Sequence, residues 1–104
     1  MANDYFNVLA DSTRRHVLEL LSDEPRRAGD LAKAAGTSRP VMSRHLRILL
    51  ESGFVAEERV ADDARARVFR LRPEPMRDVR AWLDQLQAHW DEQLASFKRH
   101  VDRS

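Results

Sequence analysis

The sequence predicts a mostly α-helical domain carrying one small β-hairpin, in the order α-α-α-α-β-β-α. Changes of rhythm are the first support. Apolar residues recur at helical spacing through the first fifty positions, alternate from residue 54 to 71, and return to intervals of three and four over the last thirty. The three glycines and four prolines stand beside these stretches as punctuation. Size is the second support: 104 residues make one unit, 1–104, with no room for another. About two-thirds of the extended surface is buried on folding at this mass, enough for one core but not for a deep cleft with a lid.

Each element has a local reason. Residues 4–10 form a short apolar helix through Tyr5, Phe6, Val8 and Leu9. Asp11-Ser12-Thr13 is a cluster of N-cap residues, so a second helix starts there and runs through Val17, Leu18, Leu20 and Leu21 toward Pro25. Asp30 to Ala35 make a third, closed by Gly36. Thr37-Ser38 caps a fourth with Pro40 in its first turn, and Met42, Leu46, Leu49 and Leu50 give it one buried stripe before Gly53 ends it. Phe54 to Val60 and Arg65 to Leu71 then read as two strands around the polar turn Ala61-Asp62-Asp63-Ala64, with Phe69 and Leu71 facing inward. The last helix opens at Pro73-Glu74-Pro75 and extends to about residue 101, roughly 40 Å.

Composition excludes several classes. No run approaches the length of a membrane span, no secretory signal opens the chain, and no membrane partner is expected. Zero cysteines removes disulfides and thiolate metal sites and suits a cytoplasmic location. Net charge is only +1, with 18 cations against 17 anions, so placement matters more than total. Residues 39–50 hold Arg39, Arg44 and Arg47 with no acid, and residues 64–72 hold Arg65, Arg67, Arg70 and Arg72 with none. Sixteen of the cations are Arg, which suits bidentate contact with phosphate or guanine.

A short helix, a glycine turn and a second helix across residues 28–52 make a helix-turn-helix. With Met42, Leu46 and Leu49 turned inward, Arg39, Ser43, Arg44 and Arg47 lie on the exposed face, near the end that enters the major groove of DNA in this motif. Ser38 and the first N–H groups can take a phosphate. The hairpin, residues 54–72, is the expected wing, its contacts Arg59, Arg65 and Arg67; Asp62 and Asp63 keep the tip off the backbone. The implied partner is a double-stranded DNA operator.

The last helix implies a second copy. Met76, Val79, Leu83, Leu86, Trp90, Leu94, Phe97 and Val101 form a near-heptad seam, widened by Trp82. A seam this long exceeds what the small domain covers and would aggregate if left bare. The expected solution is a homodimer through residues 1–10 and 74–102. Its interface residues are Tyr5, Phe6, Leu9, Val79, Trp82, Leu83, Leu86, Trp90, Leu94 and Phe97, and its operator is an inverted repeat.

Four segments together resemble the ArsR/SmtB family of bacterial winged helix-turn-helix regulators: Leu9 to Arg15, Gly29 to Ala32, Ser38 to Leu49 and Glu51 to Val55. The resemblance implies a homodimeric repressor with Arg39, Ser43, Arg44 and His45 in the recognition helix; Ser38, Pro40 and Arg47 complete the expected contact set. His45 is expected half-buried beside Val41 and Ile48, one ring nitrogen toward backbone or DNA. The two-tryptophan final helix is most similar to the metal-independent, Cys-less branch. Where the family often has Ser or Thr before the third helix, this chain has Arg27, which predicts a looser start.

Metal sensing is not expected. The family's cysteine pair is missing, and its histidine site on the last helix keeps His89 and His100 but has Gln87 for Asp and Arg103 for Glu. No cofactor is implied. Enzymatic chemistry is not expected either, because Ser43 and His45 cannot face each other on a helix and no phosphate loop or carboxylate pair is present. Two alternatives stay open: a winged-helix module that binds an acidic protein, and a metal-responsive repressor using His89 and His100. So does the existence of a small-molecule effector.

Overall fold

The computed structural model describes residues 2–60 and 63–103. Its elements are α1 (Ala2–Leu9), α2 (Ser12–Asp23), α3 (Ala28–Ala35), α4 (Arg39–Glu51), β1 (Val55–Val60), β2 (Asp63–Leu71) and α5 (Glu74–Arg103). Element number, type and order match the sequence expectation. Boundaries differ by a few residues, each for a local reason. Helix α3 starts at Ala28, two residues before Asp30, and its N-cap Arg27 supplies no side-chain hydrogen bond. Strand β1 starts after Phe54, because the Phe54 N–H is taken by the Leu49 carbonyl at 2.9 Å to close α4.

Glycine ends both helices of the central pair in the same way. Gly36 (φ 68°) and Gly53 (φ 80°) adopt the left-handed conformation. The following N–H of Thr37 and of Phe54 reaches back five residues, to Ala32 and Leu49. This is the Schellman closure, which satisfies the last carbonyls and reverses the chain within two residues.

The core lies where α1 to α4 meet the root of the hairpin. Val17, Leu31, Met42, Leu49, Phe54 and Val55 are its fully buried large side chains. Tyr5 meets Phe54 edge to face, with ring centroids 5.3 Å apart. The hairpin pairs Val55 with Leu71, Glu57 with Phe69 and Arg59 with Arg67, so those residues share one face. Phe69 is buried and Leu71 packs on the core, as expected. The same face therefore passes from apolar at the root to charged toward the tip. Past Arg59 the register slips, and Val60 pairs with Asp63. Strand β2 thus begins inside the expected turn, of which Ala61 and Asp62 lie outside the described residues.

One contact had no forecast. Arg26, in the loop before α3, exchanges both backbone hydrogen bonds with Phe69, at 3.1 and 2.7 Å. This one-residue third strand covers the far edge of β2 and fastens the wing to the helix-turn-helix.

Helix α5 leaves the domain. The molecule measures 70 × 25 × 23 Å with a radius of gyration of 19.2 Å, against about 13 Å for a compact chain of this length. Its accessible surface of 7684 Å² exceeds by roughly a quarter the area expected of a compact monomer. The Gly53 closure generates one prediction. An added Cβ there meets nothing nearer than Pro75 Cγ at 4.0 Å, so Gly53→Ala carries a backbone cost alone. Urea titration should show a loss of about 1–2 kcal/mol.

Candidate nucleic-acid interface

The exposed face of α4 is built from its start. Ser38 Oγ accepts the Val41 N–H at 3.3 Å and Pro40 occupies the first turn, where no N–H is needed. Met42, Leu46 and Leu49 are buried, which fixes the rotation of the helix about its axis. Arg39, Pro40, Ser43, Arg44 and Arg47 are consequently all exposed, with no acid between Arg39 and Glu51. Positive charge gathers on one side of the helix, at the end carrying the positive pole of its dipole.

Beside this face lies a concavity of about 350 Å³ whose lining includes Arg27, Gly29, Arg39, Glu57 and Arg67. The guanidinium of Arg39 lies back over α3, with NH1 3.3 Å from where a Cβ on Gly29 would stand. Any larger residue at position 29 would push against it. On the wing, Arg59 is exposed. Arg67 is paired with Glu57 at 3.2 Å, and Arg70 is paired with Glu58. The side chain of Arg65 lies outside the described residues. The acids on β1 were not among the sequence-derived site residues. Their signal was the hairpin register, which sets Glu57 diagonally across from Arg67 but which the slip near the tip hides.

His45 departs from the other members of the expected set. It is half-buried, and its Nδ1 lies 3.4 Å from NH1 of Arg14 rather than toward backbone. Arg14 is in turn held at the end of α1, donating from Nε to the Val8 carbonyl (2.8 Å) and from NH2 to the Asn7 carbonyl (3.1 Å). Arg15 donates to the Leu9 carbonyl at 2.7 Å. Two guanidinium groups therefore finish α1, where cations suit the negative end of the helix dipole. Asp11 caps α2, accepting the N–H groups of Thr13 (2.8 Å) and Arg14 (3.1 Å). The Arg14 N–H, followed by the charges of His45 and Arg14, holds the Asp11 carboxyl below the usual carboxylate range, against the opposing effect of burial.

Comparison with known proteins decides what kind of molecule carries this face. Residues 11–57 match the family model described as bacterial regulatory protein, arsR family. The HTH-type transcriptional regulator Rv2034 of Mycobacterium tuberculosis is 31% identical over 93% of this chain and 85% of its own. The transcriptional repressor SdpR of Bacillus subtilis is 37% identical over 55% of this chain and 63% of its own. Among solved structures, the ArsR family transcriptional regulator RHA00566 superposes with a TM-score of 0.75, at 35% identity, over 86% of this chain and 94% of that one. The homodimeric winged helix-turn-helix DNA-binding domain of Mb0332 from Mycobacterium bovis gives a TM-score of 0.62, at 26% identity, over 88% and 80%. This chain belongs to the ArsR family.

As an ArsR-family transcriptional regulator it has the winged helix-turn-helix fold, and the matched segment runs from the Asp11 cap to Glu57 on the wing. The seam on α5 divides in two. Val79 is buried within the chain itself, and Tyr5 and Leu9 pack on its core. Of these three expected interface residues, Val79 is already covered within the chain, while Tyr5 and Leu9 are partly buried. Phe6 stacks edge to face on Trp82, with centroids 5.0 Å apart. Beyond that point Leu83, Trp90, Leu94 and Phe97 are 49 to 66% exposed, while Leu86 is half-buried.

His89 and His100 lie eleven residues apart on α5, about 16 Å along the axis, too far to share one ion within a chain. Among the described residues no three His, Cys, Asp or Glu side chains converge on a metal-sized site. The depressed Asp11 carboxyl predicts a pH signature. Asp11→Ala should cost about 1 kcal/mol at neutral pH. A group whose folded pKa is lowered stabilises above its unfolded value and loses that contribution as pH falls through the folded one. Urea melts on both proteins should therefore converge as pH drops below the carboxylate range.

Proposed function

We propose that this ArsR-family regulator binds an inverted-repeat operator in duplex DNA as a homodimer and represses transcription by occupying a promoter. The observation that carries this is the acid-free exposed face of α4, where the burial of Met42, Leu46 and Leu49 holds Ser43, Arg44 and Arg47 outward and Arg39 stands exposed at the start of the helix with its guanidinium resting over α3. Arg39 and Ser43 are the base readers. Arg44 and Arg47 flank them, and Ser38 and Pro40 bring the first turn close to a phosphate. The Ser38 oxygen accepts the cap bond, which leaves its O–H to donate.

Arg59 on β1 is a phosphate contact of the wing, and Arg65 on β2 is the second. Arg67 is restrained by Glu57, so a phosphate reaching it must displace or share that carboxylate. The exposed stripe of α5, from Leu83 through Phe97, supports pairing with a second copy, as does the homodimeric state of the Mb0332 domain. The likeness to the repressor SdpR supports repression, and occlusion of polymerase needs no contact beyond those with DNA. The protein carries out no reaction in this reading and acts in the cytoplasm. No described helix is long and apolar enough to cross a membrane.

The test is footprinting and gel shift on the DNA upstream of the protein's own gene. With three or four phosphate contacts per subunit, log K against log salt should slope near −6. Arg39→Ala should cost about 1–3 kcal/mol and relax sequence preference, whereas Arg59→Ala should weaken all sequences alike. Glu57→Gln, which frees Arg67, should tighten binding to every duplex and steepen the salt slope. Leu94→Asp should yield monomers in sedimentation and abolish operator binding at the concentration where the unaltered protein is half-bound. Unchanged operator binding in both Arg39→Ala and Arg59→Ala would overturn the assignment.

A further inference from the structure

We infer that His45 serves as the catch that seats the recognition helix, and that Arg14 is its positioning residue. The inference rests on the DNA-binding reading for its consequence and on the geometry of the α1–α2 corner for its existence. A guanidinium is planar and presents its donors in a fixed fork. Two of the three guanidinium nitrogens of Arg14 are committed to the last turn of α1, Nε to Val8 and NH2 to Asn7. The third, NH1, consequently has a set direction, and it lies 3.4 Å from His45 Nδ1, thirty-one residues away in sequence.

A guanidinium only donates, so Nδ1 accepts and the ring proton sits on Nε2. Asp11 at the same corner accepts the backbone N–H of Arg14. Three elements are joined through one side chain: the end of α1, the first turn of α2, and the middle of α4. Buried leucines fix how α4 is rolled. The Arg14–His45 contact adds a polar check on how far α4 slides along the domain, one hydrogen bond from the helix that also carries Phe6.

The consequence is that His45 influences operator affinity without touching DNA. His45→Leu removes the acceptor, whereas His45→Asn puts a carbonyl oxygen near the Nδ1 position. The leucine variant should bind operator about tenfold more weakly, and the asparagine variant within threefold of the unaltered protein. Binding to random duplex should not change in either. Arg14→Gln and His45→Leu should not add: the double variant should be no weaker than the weaker single one. Additive losses would mean that the two residues act independently, and equal losses for leucine and asparagine that the Nδ1 acceptor is not what matters; either would overturn the inference.

Arg39→Ala is run alongside. If it loses affinity while the cycle is additive, the DNA-binding reading stands and only the catch fails. A readout free of DNA decides the matter even where no duplex is bound. In ¹⁵N spectra at about pH 8, His45 should be a single Nε2–H tautomer that becomes mixed in Arg14→Gln. A mixed tautomer in the unaltered protein would overturn the catch outright.

Discussion

The arrangement depends first on the burial of one stripe of α4. Met42, Leu46 and Leu49 are at most 2% exposed, and truncating such a residue costs about 2–5 kcal/mol. That constraint removes the freedom of the helix to roll. Everything polar on α4 then has its direction by default, because side chains three and four apart share a face. Arg39, Ser43, Arg44 and Arg47 need no contact of their own to be displayed.

Hydrophobic contact orients but does not fully locate. An apolar stripe tolerates small shifts along its length, since one methyl contact replaces another. Polar closures remove that slack at the ends: the Ser38 cap at one, the paired backbone bonds around Gly53 at the other. The Arg26–Phe69 exchange does the same for the wing. The arginines of this small chain thus include more than one kind. Arg14 and Arg15 are clamps on backbone carbonyls, Arg67 and Arg70 are paired with carboxylates on β1, and Arg44, Arg47 and Arg59 face solvent.

The element order was legible because each element announces itself within a dozen residues, by period, cap or glycine. The exposed face of α4 was legible for the same reason, since it is the complement of Met42, Leu46 and Leu49. What escaped depended on partners distant in sequence. Arg26 pairs with Phe69 through backbone alone, which no side-chain pattern encodes. The slip from Arg59–Arg67 to Val60–Asp63 changes cross-strand neighbours without altering composition. The position of His45 was half legible: partial burial follows from its place beside the apolar stripe, but Arg14 as its neighbour required the packing of α2 on α4. Val79 was assigned to the interface with a second copy because periodicity shows that a residue is apolar, and not which surface covers it.

Helix α5 is anchored only near its beginning, where Pro75 and Val79 are buried, and then runs on to Arg103. Thirty residues of helix span about 45 Å, so a tilt of about 5° at the root displaces the far end by roughly 4 Å. A long arm on a short fulcrum converts minor repacking around Phe6 and Trp82 into a large excursion at Phe97. The same ratio works in reverse: clasping the far end would leave the root of α5 little play against α1. The molecule is thereby a lever as well as a scaffold.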